Sequence, residues 1–282
     1  MSKKVIISTD SVCDLPQDIR EEFGISVLPL TVTLGEKSYR DGLEIDAAKI
    51  FAAYKESGLL PKTSAISPAE FMDFFQPFVD DGCEVVHITI GSKLSGTYQN
   101  CCIAASDMDG VYPVDSCQLS TGQALVVLEA CRLRDEGCSA KEIVEALVEF
   151  TSRVDASFVL DTLEFIWKGG RCSGVTALGA NLLGIKPALE MVDGGLRVCK
   201  KYRGSIEKVY LKYAAERLAA ADKELDYCFI TYSEGMSEDS VEALKKVVAE
   251  AAPFKRVFVT KAGCTVSSHC GPKTMGVLFV RK

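Results

Sequence analysis

The sequence predicts an α/β protein of two domains. Residues 1–157 form an N-terminal, mostly parallel sheet flanked by helices, and residues 158–282 a C-terminal α/β domain with a mixed sheet. Three observations carry this. Short β-branched runs alternate with helical patterns through the first half, as in a parallel sheet with crossover helices. The grain changes near Ser157, after which Asp193-Gly194-Gly195 separates two apolar runs and signals an antiparallel hairpin. The chain has 282 residues, about twice a common domain length of roughly 150.

Taken in order, Lys4 to Thr9 reads as a first strand that ends at Asp10-Ser11. Asp14 then stands where a helix cap is expected, with Pro16 in the first turn. Ile25 to Leu34 reads as one strand, and Asp46 opens a helix to about Lys55. Ser67-Pro68-Ala69-Glu70 is a capping box with proline at the first helical position. Phe71, Phe74, Phe75 and Phe78 follow at helical spacing and form an apolar face. Glu84 to Ile90 is a buried strand, followed by a helix opening near Ser95. Val111 to Val114 is a short strand, and two helices run to about Val154, the second opened by a Ser139/Glu142 capping box. Phe158 to Leu160 is a strand, and Lys168-Gly169-Gly170-Arg171 punctuates a helix. Lys186–Val192 and Leu196–Lys201 are the hairpin strands. Ile206 to Leu218 is a helix, Tyr227 to Thr231 a strand, Ser237 a helix cap, and Arg256–Thr260 and Met275–Val280 the last strands.

Composition excludes several classes. With 48% hydrophobic and 25% charged residues the chain folds rather than staying disordered. No apolar run reaches the roughly 18 residues of a membrane span, and none after Met1 has the length of a signal-peptide core. No integral membrane segment is expected. Net charge is −7 and no basic patch recurs, so nucleic acid is not an expected partner. Twelve cysteines in a long chain without an export signal point to reduced, buried thiols and a cytoplasmic location. Cys264, His269 and Cys270 supply three potential metal ligands without a fourth nearby, so no metal is expected.

Four stretches can carry chemistry. Gly91-Ser92-Lys93-Leu94-Ser95-Gly96-Thr97 joins a buried strand to a helix. Thr97 stands where a phosphate loop has lysine, so that motif fails. A strand feeding a helix start still favours an anion, and Ser95 adds a hydroxyl there, either as a plain cap or as a ligand donor. Lys62-Thr63-Ser64 is expected in a loop facing the helix that Ser67 caps. Of the two histidines, His87 lies inside an apolar strand as a core residue, and His269 in a polar loop before the last strand. Arg171 and Arg203 lie beside glycine, either as anion clamps or as solvated side chains.

Together these stretches resemble the DegV family over essentially the whole chain. The resemblance rests on Ser8-Thr9-Asp10-Ser11 with Asp14-Leu15, Lys62-Thr63-Ser64, Ser95-Gly96-Thr97-Tyr98-Gln99, Leu160-Asp161-Thr162-Leu163-Glu164, Lys168-Gly169-Gly170-Arg171, Lys186-Pro187 and Ser268-His269-Cys270-Gly271-Pro272. Many members follow Thr-Ser with Gln-Pro, where this chain has Ala65-Ile66. The resemblance implies two α/β domains enclosing one long-chain fatty acid, with Thr63 and Ser95 on its carboxylate. It implies a non-catalytic subunit of a bacterial fatty acid kinase system, serving phospholipid metabolism, that presents the carboxylate to an ATP-binding kinase subunit. Arg171, Arg203 and His269 are then linked to that partner and the phosphate, and no cofactor is expected besides the bound lipid. The competing readings are a serine hydrolase or acyl transferase using Ser95 and His269, and a binder of another amphipathic carboxylate.

Overall fold

A computed structural model of the chain describes residues 3–172 and 184–282. β1 (Val5–Asp10) runs into a short 3-10 turn, Ser11–Cys13, and α1 (Gln17–Phe23) leads to β2 (Ile25–Leu28). β3 (Thr31–Leu34), β4 (Lys37–Arg40) and β5 (Lys62–Ser64) form a small antiparallel sheet of order β4-β3-β5, with α2 (Ala47–Ser57) inserted between its last two strands. α3 (Pro68–Asp80), β6 (Glu84–Thr89), α4 (Thr97–Ser106) and β7 (Val111–Asp115) complete an all-parallel sheet of order β2-β1-β6-β7.

Two local expectations in this half change. Ile25–Leu34 is two strands in two sheets. Pro29 has no N–H for a ladder, and Leu30 donates its N–H to Ser11 Oγ at 3.0 Å instead. Asp14 does not cap α1, whose cap position is Pro16. Asp14 is buried in the left-handed region, φ 53°, with its carboxyl turned inward. The capping boxes at Ser67/Glu70 and Ser139/Glu142 form as the pattern requires. Phe71 and Phe75 are fully buried, each stabilising the fold by about 1.5–3 kcal/mol.

α5 (Ser120–Asp135) and α6 (Ala140–Arg153) follow. α6 is amphipathic. α5 is buried at every position from Ser120 to Leu128, because it touches β1 and β6 on one side and strands of the second sheet on the other. That sheet contains β8 (Val154–Val159), β9 (Ile185–Val192), β10 (Gly195–Arg203), β11 (Lys223–Tyr232), β12 (Arg256–Lys261) and β13 (Met275–Arg281). Its order is β10-β9-β8-β13-β11-β12, parallel only between β11 and β12, hence mixed. The expected division at 157 falls inside β8, all of whose residues belong to this sheet. Asp193 and Gly194, both at positive φ, make the expected β9–β10 hairpin turn.

α7 (Glu164–Gly169) follows β8. α8 (Ile206–Ala219) and α9 (Glu238–Ala251) cover the outer face of the mixed sheet over a core containing Tyr210 and Tyr213. α10 (Cys264–Cys270) lies between β12 and β13. Seven cysteines are buried, as the composition suggests, but Cys199 is exposed on the edge strand β10, at a register shift between Val198 and Lys200. Among the described residues no helix is long and apolar enough to cross a membrane.

Candidate functional site

Four segments converge on a cavity of about 130 Å³ at the carboxyl ends of β1 and β6, where ligands bind in parallel α/β sheets. The β6–α4 turn is the first. Asp10, buried at the end of β1, accepts the Ile90 N–H at 2.7 Å and the Val12 N–H at 3.0 Å, so it ties two cavity-wall residues to one carboxyl. Burial raises Asp10 to about 6, against the hydrogen bonds from Ile90, Gln123 and Val12. The turn presents Ser95, whose Oγ accepts the Thr97 N–H at 3.2 Å and lies 2.8 Å from Thr97 Oγ1. The α4 cap position is Gly96, and its first turn holds no acidic residue.

The second segment is Thr63. Expected in a loop, it lies in β5 and pairs with Val32. A three-residue edge strand next to Pro61 leaves too short a pattern to read. The third is α10. His269, also expected in a loop, lies in this seven-residue helix, whose serines and threonine are buried and so hide any polar–apolar periodicity. Its Nε2 is 2.9 Å from Thr63 Oγ1, a contact spanning 206 residues of sequence. Its Nδ1 is buried without a hydrogen-bond partner. Burial, and secondly the charge of Arg171, lower His269 to about 4, so the imidazole is neutral near pH 7.

The end of α7 is the fourth. A Cβ on Gly169 would stand 2.5 Å from His269 Nδ1, so glycine is what admits the ring here. Gly170 closes the helix at φ 69°. Arg171 then folds back, donating from Nη1 to Gly169 O at 2.7 Å and from Nε to Leu94 O at 3.5 Å. The rest of the wall is apolar, including Leu94, Leu119, Ile166, Leu196, Val266 and Cys270.

Thr63, Ser95, Arg171 and His269 therefore line one cavity, and Arg203 does not. Arg203 is exposed at the end of β10. Ser95 Oγ faces Thr97 while His269 faces Thr63, so the nucleophile–base contact that a Ser95–His269 hydrolase needs is not formed. His87 sits in a phenylalanine cage with Nδ1 2.9 Å from Ser8 Oγ and Nε2 without a partner. Burial lowers it to about 3. Among the described residues no cluster of three metal-ligating side chains occurs. In the sequence the apolar wall is indistinguishable from core, Asp10 and Asp14 stand out only within the stretch that carries the resemblance and as a strand end and an expected cap, and Asp41 carries no signal.

Comparison with known proteins supports the architecture. The sequence model of the DegV family, described as "Uncharacterised protein, DegV family", matches residues 4–282. A DegV domain-containing protein of Caldanaerobacter subterraneus is 33% identical, covering 99% of this chain and 100% of that protein. Among solved structures, a DegV family protein from Thermus thermophilus described for its fatty acid binding has a TM-score of 0.88 at 32% identity, covering 99% of this chain and 100% of that one. DegV of Bacillus subtilis, described as a fatty acid binding protein, has a TM-score of 0.84 at 26% identity, covering all of both chains (100% of each). A stearic acid-binding protein from Eubacterium ventriosum has a TM-score of 0.85 at 26% identity, covering 100% of this chain and 99% of that one. The chain belongs to the DegV family.

Proposed function

We propose that the chain binds one long-chain fatty acid, with its carboxylate between Thr63, Ser95 and the α4 start and its acyl tail along the apolar wall. The observation that carries this reading is the meeting of the Thr63–His269 pair and Ser95 at one apolar cavity, in a family whose similar members bind fatty acids. A carboxylate leaving water needs charge-assisted hydrogen bonds. The two hydroxyls and a helix start supply them. A neutral His269 donates from Nε2 to Thr63 Oγ1 and so turns the Thr63 hydroxyl proton towards the ligand. Each buried CH₂ of the tail contributes about 0.8 kcal/mol.

In the same reading the chain is not itself a catalyst. It presents the carboxylate to an ATP-dependent kinase subunit, with exposed Arg203 available to that partner and Arg171 at the cavity available to a phosphate. His269, bonded to Thr63, acts first on the carboxylate. The reading includes a cytoplasmic location and a part in phospholipid metabolism. The test is mass spectrometry of organic extracts of the purified protein, followed by titration with fatty acids and then with a cognate kinase and ATP. One fatty acid per chain and kinase-dependent acyl phosphate are expected. Absence of a stoichiometric long-chain carboxylate, with no binding on its addition, overturns the lipid assignment.

A further inference from the structure

The start of α10 is held from the other half of the chain. Asp41 accepts four hydrogen bonds: from the Cys264 N–H at 2.8 Å, the Thr265 N–H at 3.0 Å, Thr265 Oγ1 at 2.6 Å and Ser11 Oγ at 3.3 Å. Asp14 Oδ1 accepts the Gly263 N–H at 2.7 Å, and its Oδ2 takes a 2.5 Å bond from Ser120 Oγ. Three successive backbone N–H groups, from Gly263 to Thr265, thus end on two carboxyl groups that lie more than 220 residues earlier. Gly263 permits this convergence. A Cβ there would lie 3.0 Å from Asp14 Oδ1 and 3.4 Å from Asp41 Oδ1. Its φ of −66° is open to any residue, so the glycine serves close approach rather than conformation.

Helix starts carry unpaired N–H groups and partial positive charge, and carboxyl groups there both satisfy and orient them. α10 has seven residues and no capping side chain of its own. A helix so short is marginal without outside contacts, and it carries His269 one residue from its end. We infer that Asp41 and Asp14 are positioning residues for the carboxylate-binding pair: by clamping the start of α10 they hold His269 Nε2 against Thr63 Oγ1. The inference rests on the fatty acid reading only for its affinity arm.

The test uses the full chain and its two histidines. Side-chain NMR titration of the ligand-free protein follows His269, with His87 as an internal reference for the fold. In Asp41→Asn, the amide nitrogen faces donors it cannot accept from, so the helix start shifts and water reaches the ring. The His269 midpoint should rise from about 4 towards its ordinary value while His87 stays near 3. Affinity for a fatty acid should fall about tenfold or more, and for the fatty alcohol of equal length by less than about threefold. Gly263→Ala should act in the same direction. Asp14→Gly removes the carboxyl without straining the positive φ and should also raise the midpoint, whereas Asp14→Asn, which keeps both hydrogen bonds, should restore it. If Asp41→Asn does not fold, the Asp14 and Gly263 variants decide. His269 titrating as in the wild type in the folded Asp41→Asn or in both other disruptive variants overturns the inference. A wild type that binds no fatty acid removes the proposed function but leaves this titration decisive.

Discussion

α4 begins with Gly96 at its cap, no acidic residue in its first turn, and the hydroxyls of Ser95 and Thr97 beside it. α10, bordering the same cavity, begins with Asp41 and Asp14 on its first N–H groups. Both starts present the same backbone chemistry. One is filled by the protein's own carboxyl groups and becomes a fixed wall. The other is flanked only by neutral hydroxyls and suits a carboxylate brought by a ligand. A helix start is thus a structural joint or a binding site according to whether the fold itself supplies the carboxyl groups.

The largest effect is expected at the start of α10. Asp41→Ala leaves the Cys264 and Thr265 N–H groups buried without partners, and should cost about 2–5 kcal/mol of stability, measured by urea unfolding. The same truncation at the α4 start should spare the fold. Ser95→Ala should leave the unfolding midpoint nearly unchanged, whereas Thr63→Val in β5, which leaves His269 Nε2 without its partner, should cost about 1–3 kcal/mol of stability; each should weaken fatty acid binding by about 1–3 kcal/mol, read by calorimetry. A loss of stability as large as that of Asp41→Ala would make Ser95 a joint as well.

Stability should also depend on pH. Burial raises Asp14 to about 8 and Asp10 to about 6. In the unfolded chain both ionise near pH 4, so the folded state holds more protons above that and stability falls as pH rises. For Asp10 the fall ends near 6, and for Asp14 near 8. His87 and His269, lowered to about 3 and about 4, act oppositely. Their contribution is present above about 6.5, the unfolded value, and is lost as pH falls through the folded values. Between pH 6.5 and 8, of these four groups only Asp14 changes the balance. Stability should drop there by at most about 1.4 kcal/mol per pH unit, and Asp14→Asn should abolish the slope. An unchanged slope in that variant would mean that Asp14 is ionised throughout.

The smallest effect on lipid binding is expected at Arg203, exposed and outside the cavity. Arg203→Ala should leave fatty acid affinity within about twofold, while reducing kinase-dependent turnover in a coupled assay. A large loss of lipid affinity would bring β10 into the site.

Much of this was legible from local pattern. The Ser67 and Ser139 capping boxes, the Asp193-Gly194 turn and the apolar run of β6 depend on residues within a few positions of each other, and each formed where its pattern stood. Ser95 could be singled out because a strand running into a helix start is a local signal. Thr63 and His269 stand out by residue type and resemblance, but local pattern does not reveal the strand and the helix that hold them. β5 and α10 are too short for periodicity, and their neighbours supply what holds them. Asp14 is illegible for a related reason, since an acidic residue shortly before a helix has the pattern of a cap whether or not its carboxyl turns away.

Local sequence specifies the alternation of strands and helices, the mixed second sheet and the polar residues able to meet a carboxylate, because hydrophobic period, turn chemistry and capping act over a turn or two of chain. Long-range packing sets the rest: Thr63 meets His269 across 206 residues, Asp14 reaches Gly263 across 249, and Arg203 stays outside the cavity. Those choices follow from packing two sheets about the buried helix α5. Burial makes an unpaired polar group costly, so Thr63, Asp14 and Asp41 take their partners wherever the folded chain brings them, and distance along the sequence carries no record of it.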